Sequence, residues 1–238
     1  MADKPFLFER LEWDTKFFNV ECGRLTLLQT VQEKEWDDIL RRMSKYDFVV
    51  VQNKNSNYTN SKVIGEKTRA YLIDINIQFQ KKINHDSTNK AYEYTDGKEY
   101  LDRFLEISSF DYSRFFEDEK LAQLGGYRVY REWVRNASTD PAKIFIYSSD
   151  KNDVINGYAL ISERDESVVI ELIIVDQKSE EKGIGTKIFQ DVESYAYQKG
   201  KLLIEVGTQV NNTRAINFYH KMGCKQVFTH QIFHLWNS

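Results

Sequence analysis

Two segments in the second half of the sequence carry residue types and spacings suited to binding a phosphate-bearing ligand and moving a proton. Gly183 and Gly185 stand where a helical pattern begins. Glycines there let the backbone approach a ligand closely, and the free N–H groups of a helix start favour phosphate oxygens. Asn212 and Tyr219 lie two helical turns apart, so their side chains point the same way. These features predict a pyrophosphate cradle and a second helix that serves the same ligand.

Alternating strands and helices position these residues. The run at 168–175 is rich in β-branched residues and leucine, which is typical of a strand buried on both faces. A helix follows from Gly183 to Gly200, then an apolar strand at 202–206 and a helix at 211–222. The sequence therefore predicts the order strand, loop, helix, strand, helix.

Glu171 is the one carboxylate in the run at 168–175. A carboxyl group in an apolar strand is expected to have a raised pKa, so it could accept a proton through water near neutral pH. It could equally be a structural carboxylate that pairs with a lysine or a backbone N–H. Both interpretations of Glu171 stay open.

This order, with the loop EEKGIG at 180–185 and the motif NTRAINFY at 212–219, resembles the GNAT superfamily of N-acyltransferases, which bind acyl-coenzyme A. The resemblance implies an α/β fold with a mixed central sheet flanked by helices, and acetyl-CoA or another acyl-CoA as co-substrate with no metal. Glu180 departs from the family pattern, which has Gln or Arg there, and places a negative charge near the pyrophosphate. Nearby cations that could offset this charge are Lys178, Lys182 and Lys187.

The resemblance also implies roles for individual residues. Tyr219 would protonate the departing thiolate, since a phenol with a pKa of about 10 can serve a thiolate whose conjugate acid lies near ~8.5. A backbone N–H of Ile173 or Ile174 would bind the oxyanion. The residues placed at acyl-CoA are Ile173, Ile174, Val175, Lys182, Gly183, Ile184, Gly185, Thr186 and Asn212. The alternatives are that Tyr219 is a core residue and that Asn212 is an ordinary helix cap.

The earlier part of the chain narrows the resemblance. It contains WDTKFF at 13–18, YSRF at 112–115 and VYREW at 129–133, and these segments resemble the dTDP-fucosamine N-acetyltransferases and related dTDP-amino-sugar N-acyltransferases. That branch implies an acceptor amine on a dTDP-linked 3-amino or 4-amino dideoxy sugar for lipopolysaccharide or O-antigen, and a homodimer. The residues assigned to the sugar nucleotide are Phe17, Phe18, Arg114, Arg131, Trp133 and Thr208.

Other interpretations of these residues remain open. The aromatic residues at 13–18 could form a small satellite core, and the two arginines could be surface residues. The amine could belong to a protein or another small molecule, or the chain could bind coenzyme A without catalysis.

Length and composition limit the classes of function. The 238 residues suggest two domains, which we place at 1–135, an α/β domain that shapes the sugar-nucleotide site, and 136–238, the catalytic domain. A net charge of −3 gives no electrostatic case for nucleic acid. A mean hydropathy of −0.57 and the lack of a signal-like N-terminal segment predict a cytoplasmic protein with no membrane span.

The remaining patterns predict further elements. Thr30 and Glu33 form a capping box before a helix, 53–62 is a polar loop, and 71–79 is a half-buried strand. Hairpin strands at 144–147 and 155–162 precede the central strand, and a last strand covers 227–236. His230 and His234 share a face of that strand but have no third metal ligand. No internal repeat is evident.

Overall fold

The computed structural model describes residues 4–83, 91–110, 112–179 and 182–237. In chain order the elements are β1 Phe6–Arg10, α1 Glu12–Phe18, β2 Cys22–Leu27, α2 Glu33–Met43, β3 Phe48–Asn53, α3 Tyr58–Lys67, β4 Tyr71–Lys82, β5 Glu93–Thr95, α4 Leu101–Ile107, α5 Arg114–Glu117, α6 Glu119–Gln123, α7 Val129–Ala137, β6 Lys143–Ser149, β7 Ile155–Glu163, β8 Ser167–Val175, α8 Ile184–Gln198, β9 Leu203–Gln209, α9 Thr213–Lys221 and β10 Lys225–Trp236. The predicted mixed sheet flanked by helices is confirmed.

Within the described residues, ten strands form one sheet in the order β1-β2-β3-β10-β4-β9-β8-β7-β6-β5. The pairs β2–β3 and β8–β9 are parallel, and the other neighbouring strands are antiparallel. Parallel neighbours need a crossover connection, which α2 and α8 supply. Each of these two helices therefore connects two strands that are neighbours in the sheet.

The topology reveals a repeat that the sequence does not. The order antiparallel pair, crossover helix, parallel strand, helix, final strand occurs once in β1–β4 and again in β7–β10. The two final strands are exchanged: β4 pairs with β9, β10 pairs with β3, and β4 and β10 pair with each other at the centre. We call the two copies the first and second halves. Because each half contributes a strand to the other, the sheet is continuous across the predicted boundary at 135, and the division into two domains stays a prediction.

Three hydrophobic clusters cover the two faces of the sheet. On one face, β2, β3, β7 and β8 pack against α1, α4, α5 and α7. On the opposite face, α2 and α3 cover the first half and α8 and α9 cover the second. We call the side covered by α1, α4, α5 and α7 the acceptor face.

Two local predictions are wrong. The stretch 53–62 is not a polar loop, because α3 begins at Tyr58. Its asparagines serve as hydrogen-bonding groups inside the fold: buried Asn60 accepts from the N–H of Val31 and donates to the carbonyl of Gln29. The capping box before α2 is formed by Gln32 and Glu35 rather than by Thr30 and Glu33. Thr30 instead accepts a hydrogen bond from the side chain of Asn57.

Candidate active site

The sheet of the second half opens between β8 and β9. These strands pair only from Ser167 and Leu203 to Ile170 and Val206. Beyond that point β8 continues beside β7 to Val175, and β9 continues beside β4. Within the part of the chain that the structure describes, the β9-facing edge of β8, which includes the predicted residues Ile173, Ile174 and Val175, thus has no neighbouring strand. Its backbone groups on that edge are available to a ligand lying in the gap.

Glu171 is placed by a β-bulge at the start of this gap. Ile161 of β7 pairs with Ile170 and Leu160 pairs with Leu172, so Glu171 is the extra residue on β8. One carboxylate oxygen forms an ion pair with Nζ of Lys143, and the other, Oε2, is buried without a hydrogen-bond partner in the described part of the chain. The lysine pairing agrees with the structural interpretation of Glu171. Its role as a base stays a prediction, for which Oε2 is the available atom.

The start of α8 lies against the gap. Gly183 adopts the left-handed conformation, with φ of 89°, directly before the helix. The first helical hydrogen bond runs from the N–H of Lys187 to the carbonyl of Gly183, at 2.9 Å. The N–H groups of Ile184, Gly185 and Thr186 precede this bond and have no intrahelical acceptor. They form the donor set that a pyrophosphate needs.

Gly185 joins three elements of the site. A Cβ built on it would lie 3.6 Å from Val175 of β8 and 3.6 Å from the ring of Phe218 on α9. The cradle, the end of the central strand and the helix that carries Tyr219 therefore meet at this residue. Glu180 lies outside the described residues. Of the lysines expected to offset its charge, Lys187 pairs with Asp191 and Lys178 lies 3.8 Å from Glu106.

Helix α9 carries both residues of the second motif. Oδ1 of Asn212 accepts the N–H of Ala215 at 3.0 Å, which is an ordinary N-cap. A coenzyme contact of Asn212 stays a prediction. Tyr219 is 4% exposed and packs against the rings of Phe79 and Phe218. Burial raises the pKa of Tyr219, so its phenol holds the proton at neutral pH.

The predicted substrate residues occupy different environments. Phe18 is buried, and Phe17 stacks on the exposed Trp13 with ring centroids 4.8 Å apart. Trp133 lies at the exposed end of a three-ring stack with Tyr130 and Phe110. Thr208 is buried in the part of β9 that no longer pairs with β8.

The two arginines predicted to bind the sugar nucleotide also lie in different environments. Arg131 donates to the carbonyl of Leu105 at 3.1 Å and so fixes α7 against α4. Arg114 lies over the ring of Phe115 at 4.7 Å, and its Nε is buried without an acceptor in the described ranges. Burial lowers the pKa of Arg114. Arg131 is therefore engaged in the fold, whereas the Nε of Arg114 is free for a further acceptor, although the charges of Asp14 and Asp74 act on the guanidinium.

The corresponding place in the first half is closed. Strands β2 and β3 pair along their whole length, from Cys22 and Phe48 to Leu27 and Asn53. The start of α2 carries a capping box, in which the side chain of Gln32 accepts the N–H of Glu35 and the side chain of Glu35 accepts the N–H of Gln32. The first half thus has neither the gap nor the free helix start, so we expect one coenzyme site per chain.

Comparisons with other proteins agree with this geometry. The model of the acetyltransferase (GNAT) family matches residues 101–224. The spore coat polysaccharide biosynthesis protein SpsD of Bacillus subtilis (strain 168) is 24% identical over 240 residues, which cover 97% of this chain and 83% of SpsD.

Two solved structures illustrate the likeness of fold. The GCN5-related N-acetyltransferase from Sphaerobacter thermophilus superposes with a TM-score of 0.64 at 10% identity, covering 98% of this chain and 77% of that one. A tandem GNAT protein from the clavulanic acid biosynthesis pathway gives 0.60 at 11% identity, covering 91% and 75%.

Replacing Gly185 with alanine tests the cradle. The added Cβ has only ordinary contacts, so the variant should fold as the wild type does, but the methyl group would stand where a pyrophosphate approaches the backbone. We expect affinity for coenzyme A to fall about tenfold or more, equivalent to ~1.4 kcal/mol, with one site per chain in calorimetry. Gly65→Ala, on exposed α3 with open space around it, is the matched control and should bind normally. Equal affinities for the two variants would contradict the assignment.

Proposed function

We propose that this chain, which belongs to the acetyltransferase (GNAT) family, moves an acyl group from acyl-CoA to the amino group of a dTDP-linked amino-dideoxy sugar. Acyl-CoA-dependent N-acyl transfer is the activity of the family, and the sugar acceptor is the proposal. The observation that carries the transfer is the gap between β8 and β9, with the start of α8 packed against the end of β8 at Val175. The protein would act in the cytoplasm, on precursors of surface polysaccharides.

Three features support a sugar nucleotide as acceptor. The curated relative SpsD is named as a spore coat polysaccharide biosynthesis protein. The stack of Phe110, Tyr130 and Trp133 ends at an exposed indole, which can stack on a nucleobase. Arg114 offers a guanidinium whose buried Nε has no acceptor among the described residues, and a diphosphate is a suitable bidentate partner. The homodimer implied by the resemblance stays a prediction.

The chemistry requires a neutral amine, a stabilised oxyanion and a proton for the thiolate. In the proposed mechanism the amine nitrogen attacks the thioester carbonyl, and the unpaired N–H of Ile173 or Ile174 stabilises the oxygen as it gains charge. The C–S bond then breaks, and Tyr219 gives its proton to sulfur. The proton lost by nitrogen passes to Glu171 through water, and solvent restores the phenol.

The two faces of the sheet suit this division of roles. Tyr219 belongs to the hydrophobic cluster beneath α8 and α9. Lys143, the ion-pair partner of Glu171, lies two residues before Phe145 on β6, so the two share a face of the strand. Phe145 packs on the acceptor face. A thioester in the gap would be reached by the amine from one side and by the phenol from the other.

The proposal is tested by measuring coenzyme A release with a thiol reagent. A matrix of dTDP-linked 3-amino and 4-amino sugars is combined with acetyl-CoA and longer acyl-CoAs. One strong combination is expected, and it would identify donor and acceptor together. Silence across the matrix, while coenzyme A still binds in calorimetry, would overturn the sugar assignment and leave the fold intact.

Tyr219→Phe tests the proton donor. The substitution keeps the packed ring and removes a hydroxyl for which the described residues supply no hydrogen bond, so stability should not fall. We expect kcat to drop about 10²- to 10⁴-fold, the usual contribution of a general acid. Tyr195→Phe is the control, because its hydroxyl bonds to Glu163 away from the gap. A Tyr219→Phe enzyme with wild-type kcat would show that Tyr219 is a core residue only.

A further inference from the structure

A buried polar cluster on the acceptor face lies outside the acyl-CoA gap. It is lined by Arg24 of β2, Arg114 of α5, Asp14 of α1, Asp74 of β4 and His234 of β10. We infer that this cluster is the binding pocket for the acceptor, and that it selects molecules carrying both a phosphate group and an amine. The inference rests on the proposed function and names the residues that would recognise its substrate.

Asp118 fixes one member of the cluster, His234, through a hydrogen bond. Its buried carboxylate accepts hydrogen bonds from Nδ1 of His234 and the hydroxyl of Tyr71, both at 2.7 Å, and from Nε1 of Trp236 and the N–H of Leu121, both at 3.0 Å. Burial alone would raise the pKa of Asp118, but these donors lower it on balance. The carboxylate is therefore ionised and can only accept hydrogen bonds.

This arrangement fixes the tautomer of His234. Because Asp118 only accepts, Nδ1 of His234 must carry the ring proton. Burial lowers the pKa of His234, so at neutral pH the ring is neutral and its Nε2 presents a lone pair. The side chain is 0% exposed, and Nε2 has no hydrogen-bond donor among the described residues. His234 is thus a fixed hydrogen-bond acceptor that lacks a partner.

Two further nitrogens without partners lie in the same cluster. Strand pairing places Arg24 beside Val50, Val50 beside His234, and His234 beside Tyr71, so these side chains share one face. Nε of Arg24 and Nε of Arg114 are both buried without acceptors in the described ranges. The charges of Asp14 and Asp74 act on Arg114, and the charge of Arg114 acts on His234, so these four groups are neighbours. A buried polar group without a partner is destabilising, and a matching ligand would supply the missing hydrogen bond.

The carboxylates of Asp14 and Asp74 are the groups of the cluster that could bind an amine. Burial raises the pKa of Asp14 and of Asp74, and the charge of Arg114 opposes the rise in both. A bulge in β4 places Asp74 opposite Ile232, and the next residue, Ile75, accepts the N–H of Val210, just after β9 ends, at 2.8 Å. Asp74 therefore stands near the open end of the β8–β9 gap. An ammonium bound there would lie close to a thioester in the gap.

The cluster thus offers cations for a phosphate, a carboxylate for an amine and a lone pair for a hydroxyl hydrogen. A phosphate-linked amino sugar presents all three groups, whereas a free amino sugar lacks the phosphate and a simple nucleotide lacks the amine. Binding of all three groups together would orient the amine toward the gap.

Arg114→Gln is the first test, with equilibrium binding of the dTDP-amino sugar that the wild type acylates as the readout. Because the charge of Arg114 acts on the carboxylates of Asp14 and Asp74, the thermal midpoint is measured alongside to separate a loss of stability from a loss of binding. We expect the Kd for the acceptor to rise about ten- to a hundredfold, with the Kd for acetyl-CoA unchanged. Arg164→Gln, an exposed arginine paired with Glu205, is the matched control. Unchanged acceptor affinity in Arg114→Gln would overturn the inference.

Asp118→Asn tests the role of His234. An amide N–H would donate to Nδ1 and move the ring proton to Nε2, turning the acceptor into a donor. Nitrogen-15 NMR of the ring should report this change, and the acceptor KM should rise with the acyl-CoA KM unchanged. A tautomer change without a change in acceptor KM would contradict the assignment.

Asp74→Asn tests the amine subsite. In the wild type the amino sugar nucleotide should bind more tightly than its hydroxyl analogue, and Asp74→Asn should reduce that preference. A preserved preference would contradict the pocket. A wild type that acylates a sugar nucleotide while all three variants behave normally would overturn the pocket alone. A wild type that acylates none would overturn the proposed function and the pocket with it.

Discussion

The separation of β8 from β9 after four paired positions is the constraint on which the rest of the site depends. Unpaired strand edges are costly unless a ligand or another group satisfies them. Here each strand stays fixed on its other side, β8 by β7 and β9 by β4. The gap is therefore held open by the sheet itself and needs no bound ligand to define it. The start of α8 lies against the end of β8 at Val175, so its N–H groups can serve a ligand in the gap.

The exchange of β4 and β10 links the two halves and separates their roles. The first half repeats the topology, yet its parallel strands stay paired throughout and a capping box of Gln32 and Glu35 occupies the helix start. What the first half supplies instead is the polar cluster on the acceptor face. His234 reaches that cluster only because β10 crosses from the second half to lie against β3. A donor site in one half and an acceptor site built from both would explain why neither half is complete alone.

Local pattern explains how much of this the sequence could predict. The strand at 168–175, the helix after Gly183 and the motif ending at Tyr219 depend on periodicity and spacing within short segments, so they were predictable. The prediction of a polar loop at 53–62 was wrong because the side chain of Asn60 bonds to the backbone of Val31 and Gln29, about 30 residues away, rather than to water. No local pattern encodes the strand exchange or the pairing of Asp118 with His234, which lie 116 residues apart. Asp14 was visible within the WDTKFF motif, but nothing in the sequence marked it as facing Arg114.

The central claim is that the gap between β8 and β9 holds acyl-CoA, and hydrogen exchange of the backbone amides tests it most directly. Ile173, Ile174 and Val175 lie on the unpaired edge, and Ile184, Gly185 and Thr186 form the free helix start. Adding acetyl-CoA should slow exchange in both segments together and leave β2, β3 and the start of α2 unaffected. Protection in the first half, with exchange at 171–175 and 183–187 unchanged, would contradict the account.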